Sequence, residues 1–471
     1  MRHIVILILV LSALGYFVAH GGNFASHSAP SSRLTYANVT SIKTVDLCGV
    51  PTPDGKPVKI GMLASREMQP WLDAAVIAFG SICPNIQVQI ISMNSFLAVD
   101  ELLSGRLSPT LWAPENDNML RYLEHRVRQT KHPRLFAMEE RTPLLSSPLV
   151  WMMPDSRSRR LKSLLAFAGD SEGMWMQTGC AMVPRSVNGK GSTDLADMLP
   201  GTWSAWYAAT HPKVPVPKRA RQPTPSPSSL EADPLLSEFR VWGRVNFGHA
   251  DPSRAPVGLD ALVLLSYDFV MPPSLRDGLA SEIPAQPPNI LTQRIMDQGS
   301  LLQDWLRRCE AGVPHWAKSD APLVNALAEM GSDHHDIVAV YEHLAIPVMR
   351  RMTHQMPEQL RIVYPEPTAW STHPVVMLDP DNSQRNVERR AAQKWIAHLL
   401  SEEQQNRAIE LGFRPGAPRL SAREYRAPTN PFLSLQLWGI DPEITRHEPP
   451  PLDGEAIEYL IKLWGQATGH Y

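Results

Sequence analysis

Between Val58 and Leu123 the apolar residues alternate between two periods, and this constrains the fold more than any other feature of the chain. Val58 to Ala64 (VKIGMLA), Ile86 to Ser92 and Thr110-Leu111-Trp112 read as strands. Between the first two, Trp71, Ala74, Ala75, Ala78, Phe79 and Ile82 fall on one helical face. Phe96 to Leu103 reads as a second helix closed by Gly105, and Asn118 to Leu123 opens a third. A β-α-β-α-β-α order with short connections requires a parallel sheet. Ligands gather at the turns after the carboxyl ends of such strands. Ser65, Ser95 and the stretch Trp112 to Asn116 lie at or near those turns.

The alternation resumes further on. Leu149 to Met153 is a strand closed by Pro154, and Leu161, Leu164, Leu165 and Ala168 form a helical stripe. Gly258 to Phe269 reads as a helix and 295 to 330 as two more. Asp336 to Tyr341, Leu360 to Tyr364 and Pro374 to Leu378 read as strands. Ala391, Ala392, Trp395, Ile396, Leu399 and Leu400 mark a helix, followed by the capping box Ser401-Glu402-Glu403-Gln404 and a helix ended by Gly412. With 471 residues, 43% of them hydrophobic, the chain can bury the cores of two α/β lobes. Its 44 prolines concentrate outside these elements. Residues 211–234 carry seven of them with Lys213, Lys218, Arg219 and Arg221, and read as an exposed insertion; 271–290 read as a second proline-rich loop.

Arg2 and His3 precede an apolar run from Ile4 to Val18, the pattern of an export signal. Residues 1–22 are therefore expected to be a signal peptide or an uncleaved signal anchor, with 23–56 a polar tether and the body outside the cytoplasm. Lys plus Arg (45) nearly balances Asp plus Glu (47), which argues against nucleic acid as a partner. Cys48, Cys83, Cys180 and Cys309 are widely spaced, without a C-x-x-C, which removes zinc-ribbon and thioredoxin-like readings and leaves three possible pairings or unpaired buried cysteines.

The sequence has no P-loop, G-x-G-x-x-G or H-E-x-x-H. Asp333-His334-His335-Asp336 holds metal-ligand types, but neighbours on an extended strand face opposite ways and do not converge on one ion. His249 beside Asp251 could form a dyad, and a hydrolase would need a nucleophile within their reach. The expectation is a non-enzyme without cofactor or metal.

GHADPSRAPVGL (Gly248 to Leu259) resembles the G-x-x-D-P-x-x-x-P-x-G turn-to-helix segment of bacterial extracellular solute-binding proteins of the molybdate and sulfate type. It is more similar still to the solute-binding-like domains that precede von Willebrand factor A domains. The likeness extends in order through Trp112-Ala113-Pro114, Ser147 to Val150, Trp242-Gly243-Arg244, Tyr341-Glu342, Tyr364-Pro365-Glu366 with Thr368, His373-Pro374 and Gly412 to Pro415. It spans about residues 57 to 416, and the roughly 55 residues after it are expected to hold no von Willebrand domain.

The resemblance implies a two-lobed type II periplasmic-binding-protein fold, each lobe a mainly parallel sheet flanked by helices, joined by two hinge strands. Lobe I is expected over 57–147 and 366–430, lobe II over 148–365, and a C-terminal tail over 431–471. The implied function is capture of a small solute or oxyanion in the inter-lobe cleft, with an ABC-type permease as partner and closure about the hinge. Carried over residue by residue, the ligand would be held by Ser65, Ser95, Trp112, Asp251, Pro256, Gly258, Tyr341, Glu342 and Thr368. Ser65 also suits the N-cap of the first helix. Glu67, Glu115, Glu342 and Glu366 are expected near the rim, where carboxylates repel an oxyanion and favour an amine, a sugar or a metal complex. The alternative to transport is a membrane-tethered interaction or sensory module with a degenerate cleft, favoured if Trp112 or the 271–290 loop plugs it.

Overall fold

Strand β1 (Val58–Ala64) buries nearly all of its residues, as a strand covered on both faces must. It is the first element of the computed structural model, which describes residues 48–51, 55–130, 134–167, 174–175, 201–210, 234–271, 289–313, 316–351, 358–379, 382, 385–417 and 419–470. Helix α1 (Gln69–Ile82), β2 (Ile86–Ser92), α2 (Ser95–Leu103), β3 (Leu111–Ala113) and α3 (Asp117–Thr130) follow in the order that the alternation predicts. The short strand β4 (Thr142–Pro143) leads into the ten-residue β5 (Leu145–Pro154). Helices α4 (Asp155–Phe167), α5 (Trp203–Thr210) and α6 (Pro234–Trp242) precede β6 (Phe247–Gly248) and α7 (Pro256–Val270).

Three helices, not the expected two, occupy the next region: α8 (Ile290–Asp297), α9 (Gly299–Glu310) and α10 (Asp320–Met330). The break between α8 and α9 falls at Gln298-Gly299, where the glycine lets the Tyr459 ring approach. Then come β7 (Ile337–Tyr341), α11 (Glu342–Arg350), β8 (Leu360–Val363), β9 (Trp370–Ser371), β10 (Pro374–Met377), α12 (Asn386–Leu399) and α13 (Glu402–Glu410). Ser401 caps α13 by accepting from the Gln404 amide, and Gly412 turns the chain at φ +95°. Strand β11 (Arg414–Pro415), α14 (Pro431–Ser434) and α15 (Gly454–Thr468) complete the chain.

The elements form two sheets. The first runs β2-β1-β3-β10-β4; β1 pairs in parallel with β2 (Val58 opposite Ile86) and with β3 (Met62 opposite Leu111). The second runs β11-β5-β7-β6, with β8 and β9 also on β5. Only β6–β7 is parallel there; β5 runs antiparallel to β7, β8, β9 and β11. The expectation of a mainly parallel sheet thus holds for β1–β3 and fails in the second sheet. The reason is that β5 carries the chain from one sheet to the other while β8 and β9 bring it back in the opposite sense.

Helices α1 and α12 cover one face of the first sheet, with Phe79 and Trp395 in edge-to-face contact at 5.2 Å. On the other side, Trp112, Leu120 and Leu123 belong to one apolar core with Val150, Leu262, Leu302 and Trp464. That core crosses from the first sheet to the second, and α15 helps it do so.

Residues 431–471 are accordingly not a tail. Helix α15 packs on α3 on one side and on α7, α8 and α9 on the other. Both seams are tight: a Cβ at Gly454 would sit 2.2 Å from the Arg121 carbonyl oxygen, and one at Gly299 would sit 2.0 Å from the Tyr459 hydroxyl. His125 and Gln129 of α3 each meet the Glu458 carboxylate at 2.9 Å. The Asp453 amide donates to Thr292 Oγ1 of α8 at 3.0 Å.

Cys48 is bonded to Cys83, which ties the start of the described body to the end of α1; Cys309 is also disulfide-bonded. No helix among the described residues is long and apolar enough to cross a membrane. The N-terminal signal or anchor, the 211–234 insertion up to residue 233 and almost all of the 271–290 loop lie outside the described residues.

Candidate functional site

The turns after β2 and β3 meet the start of α7 and the end of β7, so the two lobes face each other there. The contacts between them are direct. Asn94 Nδ2 donates to the Arg254 carbonyl at 2.8 Å. Asn116 Nδ2 reaches both Asp260 Oδ2 and the Tyr341 hydroxyl at 3.0 Å, Asn118 donates to Asp260 Oδ1 at 2.9 Å, and Tyr341 donates to Asp260 Oδ2 at 2.8 Å. A carboxyl of α7 is thereby held by two amides from the first lobe and one hydroxyl from the second.

The residues expected to hold a ligand divide into two groups. Ser65, Ser95, Tyr341, Pro256 and Gly258 lie on turns or helix starts at the cleft. Ser65 stands at the N-cap position of a short 3-10 turn before α1, yet its hydroxyl makes no capping bond and instead pairs with His373 Nδ1 at 3.2 Å. Ser95 donates to the Glu115 carboxylate. Gly258 allows α7 to start against the chain that feeds it, since a Cβ there would lie 2.2 Å from the Ala250 carbonyl oxygen.

The others are turned to structural work. Trp112 is buried on β3 against Phe136, 6.5 Å between rings, and does not plug the cleft. Asp251 closes its own turn by accepting from the Ser253 amide at 2.8 Å and hydroxyl at 2.6 Å. Thr368 donates to the Leu149 carbonyl of β5. Glu342, placed near the rim by sequence, is fully buried and paired with Arg414. Glu366 is exposed.

The hydrolase dyad does not form. His249 turns Nδ1 to the Ala250 carbonyl and Nε2 to Glu310, at 2.9 and 3.1 Å, away from Asp251. Burial works against its charged form, but the Glu310 carboxylate outweighs that and raises its pKa. Asp336 of the Asp-His-His-Asp run accepts from Arg157 Nε at 2.7 Å, the Asn246 amide at 2.9 Å and Trp203 Nε1 at 3.2 Å. Among the described residues no three His, Cys, Asp or Glu side chains are arranged to hold a metal ion.

Electrostatics single out the carboxyl groups. Glu67, after β1, is held up to about 7 by burial, only partly offset by its backbone hydrogen bond and Arg66. Burial raises Glu115 well above the carboxylate range, and the charge of Glu67 raises it further. Asp320, which opens α10 in the other lobe, is raised by burial, then by the charges of Glu67 and Asp260. Asp260 is pushed up to about 7 by burial despite the hydrogen bonds of Tyr341, Asn118 and Asn116. No Lys or Arg among the described residues forms an ion pair with any of the four. His343 and His373 stand beside this group, their rings 5.6 Å apart, both held neutral by burial.

Sequence reasoning reached Glu67 and Glu115 and missed Asp260, Asp320, His343 and His373. One signal was available: Asp260 is a lone carboxyl in the apolar stretch PVGLDALVLL, every residue of which is buried.

Two sheets joined by returning strands, a helix start facing serine-bearing turns and a polar cleft between them define a two-lobed solute-binding protein of the type II periplasmic class. The chain belongs to the bacterial extracellular solute-binding protein family, whose model matches residues 60–414. No curated protein matches it by sequence. Among solved structures, iron-bound HitA from Pseudomonas aeruginosa is 12% identical over 87% of this chain and 99% of its own, with a TM-score of 0.46. The sulfate-binding protein SubI from Mycobacterium tuberculosis is 12% identical over 82% and 92%, at 0.40. AfuA from Actinobacillus pleuropneumoniae, bound to fructose-6-phosphate, is 11% identical over 88% and 100%, at 0.46.

Proposed function

We propose that this protein captures a small, positively charged organic solute between its lobes, outside the cytoplasm, and transforms nothing. The observation that carries the reading is that burial raises the pKa values of Glu67 and Glu115 from one lobe and Asp320 and Asp260 from the other, with no ion-pairing Lys or Arg among the described residues. The charge of Glu67 further raises Glu115 and Asp320, and that of Asp260 raises Asp320. Like charges brought together in a buried place stay protonated unless a cation joins them. An ammonium group between the lobes would let these carboxyls ionise and would draw the lobes together. The absence of a metal-type cluster among the described residues favours an amine over a bare ion. Ser65, Ser95 and Tyr341 would supply neutral hydrogen bonds, and an oxyanion would meet carboxyls on both sides. The apolar N-terminal run supports export and a membrane tether, and the family supports an ABC-type permease as the receiving partner.

The test is calorimetric titration with alkyl mono- and diamines, divalent cations and oxyanions at several pH values. Amines should bind with release of protons, more tightly at pH 8 than at pH 5.5, and Glu67→Gln or Glu115→Gln should weaken binding at least tenfold. Tight oxyanion binding indifferent to both substitutions would overturn the reading.

A second reading, an envelope sensor whose lobes do not open, is favoured by α15, which packs on helices of both lobes. X-ray scattering with and without a bound amine separates the two: a receptor changes its radius of gyration on binding, a locked sensor does not.

A further inference from the structure

A cavity of about 240 Å³ lies beside the hinge strand β9. Four parts of the chain wall it, one of them helix α7 through Asp260 and Val263. Lobe I contributes Arg121 and Arg141, the returning hinge strand contributes Trp370 and Thr372, and residues 446 to 452 close it from outside. That closing segment lies beyond residue 414, where the family match ends, so the cavity is a construction of this chain's C-terminal extension.

Hydrogen-bond accounting on its walls comes out one-sided. The acceptors are already engaged: Asp117 takes Arg141 Nε at 3.0 Å, Glu448 takes Arg446 Nε, and Asp260 is held by Asn116, Asn118 and Tyr341. The donors are in surplus. The Arg121 side chain is half-buried, forms no hydrogen bond or ion pair among the described residues, and has its pKa lowered chiefly by that burial, against the charges of Asp117, Asp453 and Glu448. Thr372 Oγ1 and Trp370 Nε1 are buried without a partner among the described residues, each in a residue only 8% exposed. Arg446 lies over the Trp370 ring, 5.4 Å from its centre, with its terminal nitrogens outside the Glu448 contact. A pocket with unsatisfied guanidinium, hydroxyl and indole donors suits a ligand made of acceptor oxygens.

We infer that this hinge cavity is a second binding site, for a small carboxylate- or phosphate-bearing anion, with Arg121 and Arg446 as its anchors. An anion there contacts the first lobe through Arg121, the hinge through Thr372 and the C-terminal segment through Arg446. Its occupancy therefore fastens the extension to the body. The cavity adjoins the carboxyl-lined cleft, and Asn116, Asn118 and Asp260 border both, but its arginines are not among the residues proposed to hold the amine.

The experiment is calorimetric titration of the full chain with citrate and with inorganic phosphate at low ionic strength and pH 7, joined to hydrogen exchange of residues 369–373 and 446–452. Citrate or phosphate should bind, slow exchange in both segments, and lose at least tenfold in affinity in Arg121→Gln and in Arg446→Gln. Glu67→Gln in the cleft should leave this affinity unchanged, which keeps the result independent of the amine reading. Arg446 is at the surface segment, so its variant tests the site even if Arg121→Gln fails to fold. Failure of both anions to bind at millimolar concentration overturns the inference, as does binding that Arg446→Gln leaves intact.

Discussion

Arg414 grips Glu342 with two parallel bonds, Nε to Oε2 at 2.7 Å and Nη2 to Oε1 at 2.8 Å, in a place where the glutamate is wholly buried. Tyr364 donates to the same carboxylate, and Arg414 also donates to the carbonyls of Asp441 and Pro442. The pair joins the start of α11 to β11, the hinge return and the C-terminal segment. Removing the cation leaves a buried carboxylate uncompensated, which typically costs about 3–5 kcal/mol. Arg414→Leu is expected to lose stability on that scale in urea unfolding. The double variant with Glu342→Gln should lose less than the sum of the two single ones.

Gly454 tests the seam between α15 and α3. Its missing Cβ leaves room for the Arg121 carbonyl, and Gly454→Val has no way to fit without moving the helix. A forced fit of this kind costs about 1–3 kcal/mol. Thermal unfolding should show the loss, and hydrogen exchange should rise in α15 before it rises in β1. Uniform exchange across the chain would mean that α15 is not a separable clasp.

The cleft carboxyls give a signed dependence on pH. Asp260 and Glu67, raised to about 7 in the fold, hold protons that the unfolded chain releases near 4. Their contribution to stability is therefore present at low pH and lost as pH rises from about 4 to 7. His373, lowered to about 3, and His343, lowered well below its usual value, act in the opposite sense: stability is full above about 6.5 and falls on acidification. Urea midpoints of wild type and Asp260→Asn at pH 5, 6, 7 and 8 separate the two, because both retain the histidines. The stability of Asp260→Asn relative to wild type should rise with pH, and a flat difference would show that Asp260 titrates normally.

The Cys48–Cys83 bridge spans 35 residues of chain. Loop-closure entropy for that length corresponds to about 4 kcal/mol of stabilisation of the fold. The double Cys48→Ser, Cys83→Ser variant should unfold at a lower urea concentration with a similar slope. An unchanged midpoint would place the segment around Cys48 outside the cooperative unit.

The alternation of strands and helices was legible because each element writes its own period into neighbouring residues. Strand β2 begins and ends where the pattern places it, at Ile86 and Ser92, and Gly412 turns the chain where α13 was expected to stop. Glu342 was not legible. Its neighbour Tyr341 faces the cleft, and nothing local announces that Arg414, 72 residues on, would claim the carboxylate. Residues 431–471 misled for a similar reason: prolines and a lone amphipathic helix look like a tail until the two surfaces that bury Trp464 are in view.

Local sequence determined most of the elements, the parallel pairing of β1 to β3, the Ser401 cap and the serines at the strand ends, since these depend on residues a few positions apart. Only the tertiary structure decided which carboxyls are held protonated by burial, that His249 meets Glu310 and not Asp251, and that the C-terminal helix bridges the lobes. Those outcomes rest on desolvation and on contacts between residues tens to hundreds of positions apart, and neither quantity exists until the chain has folded.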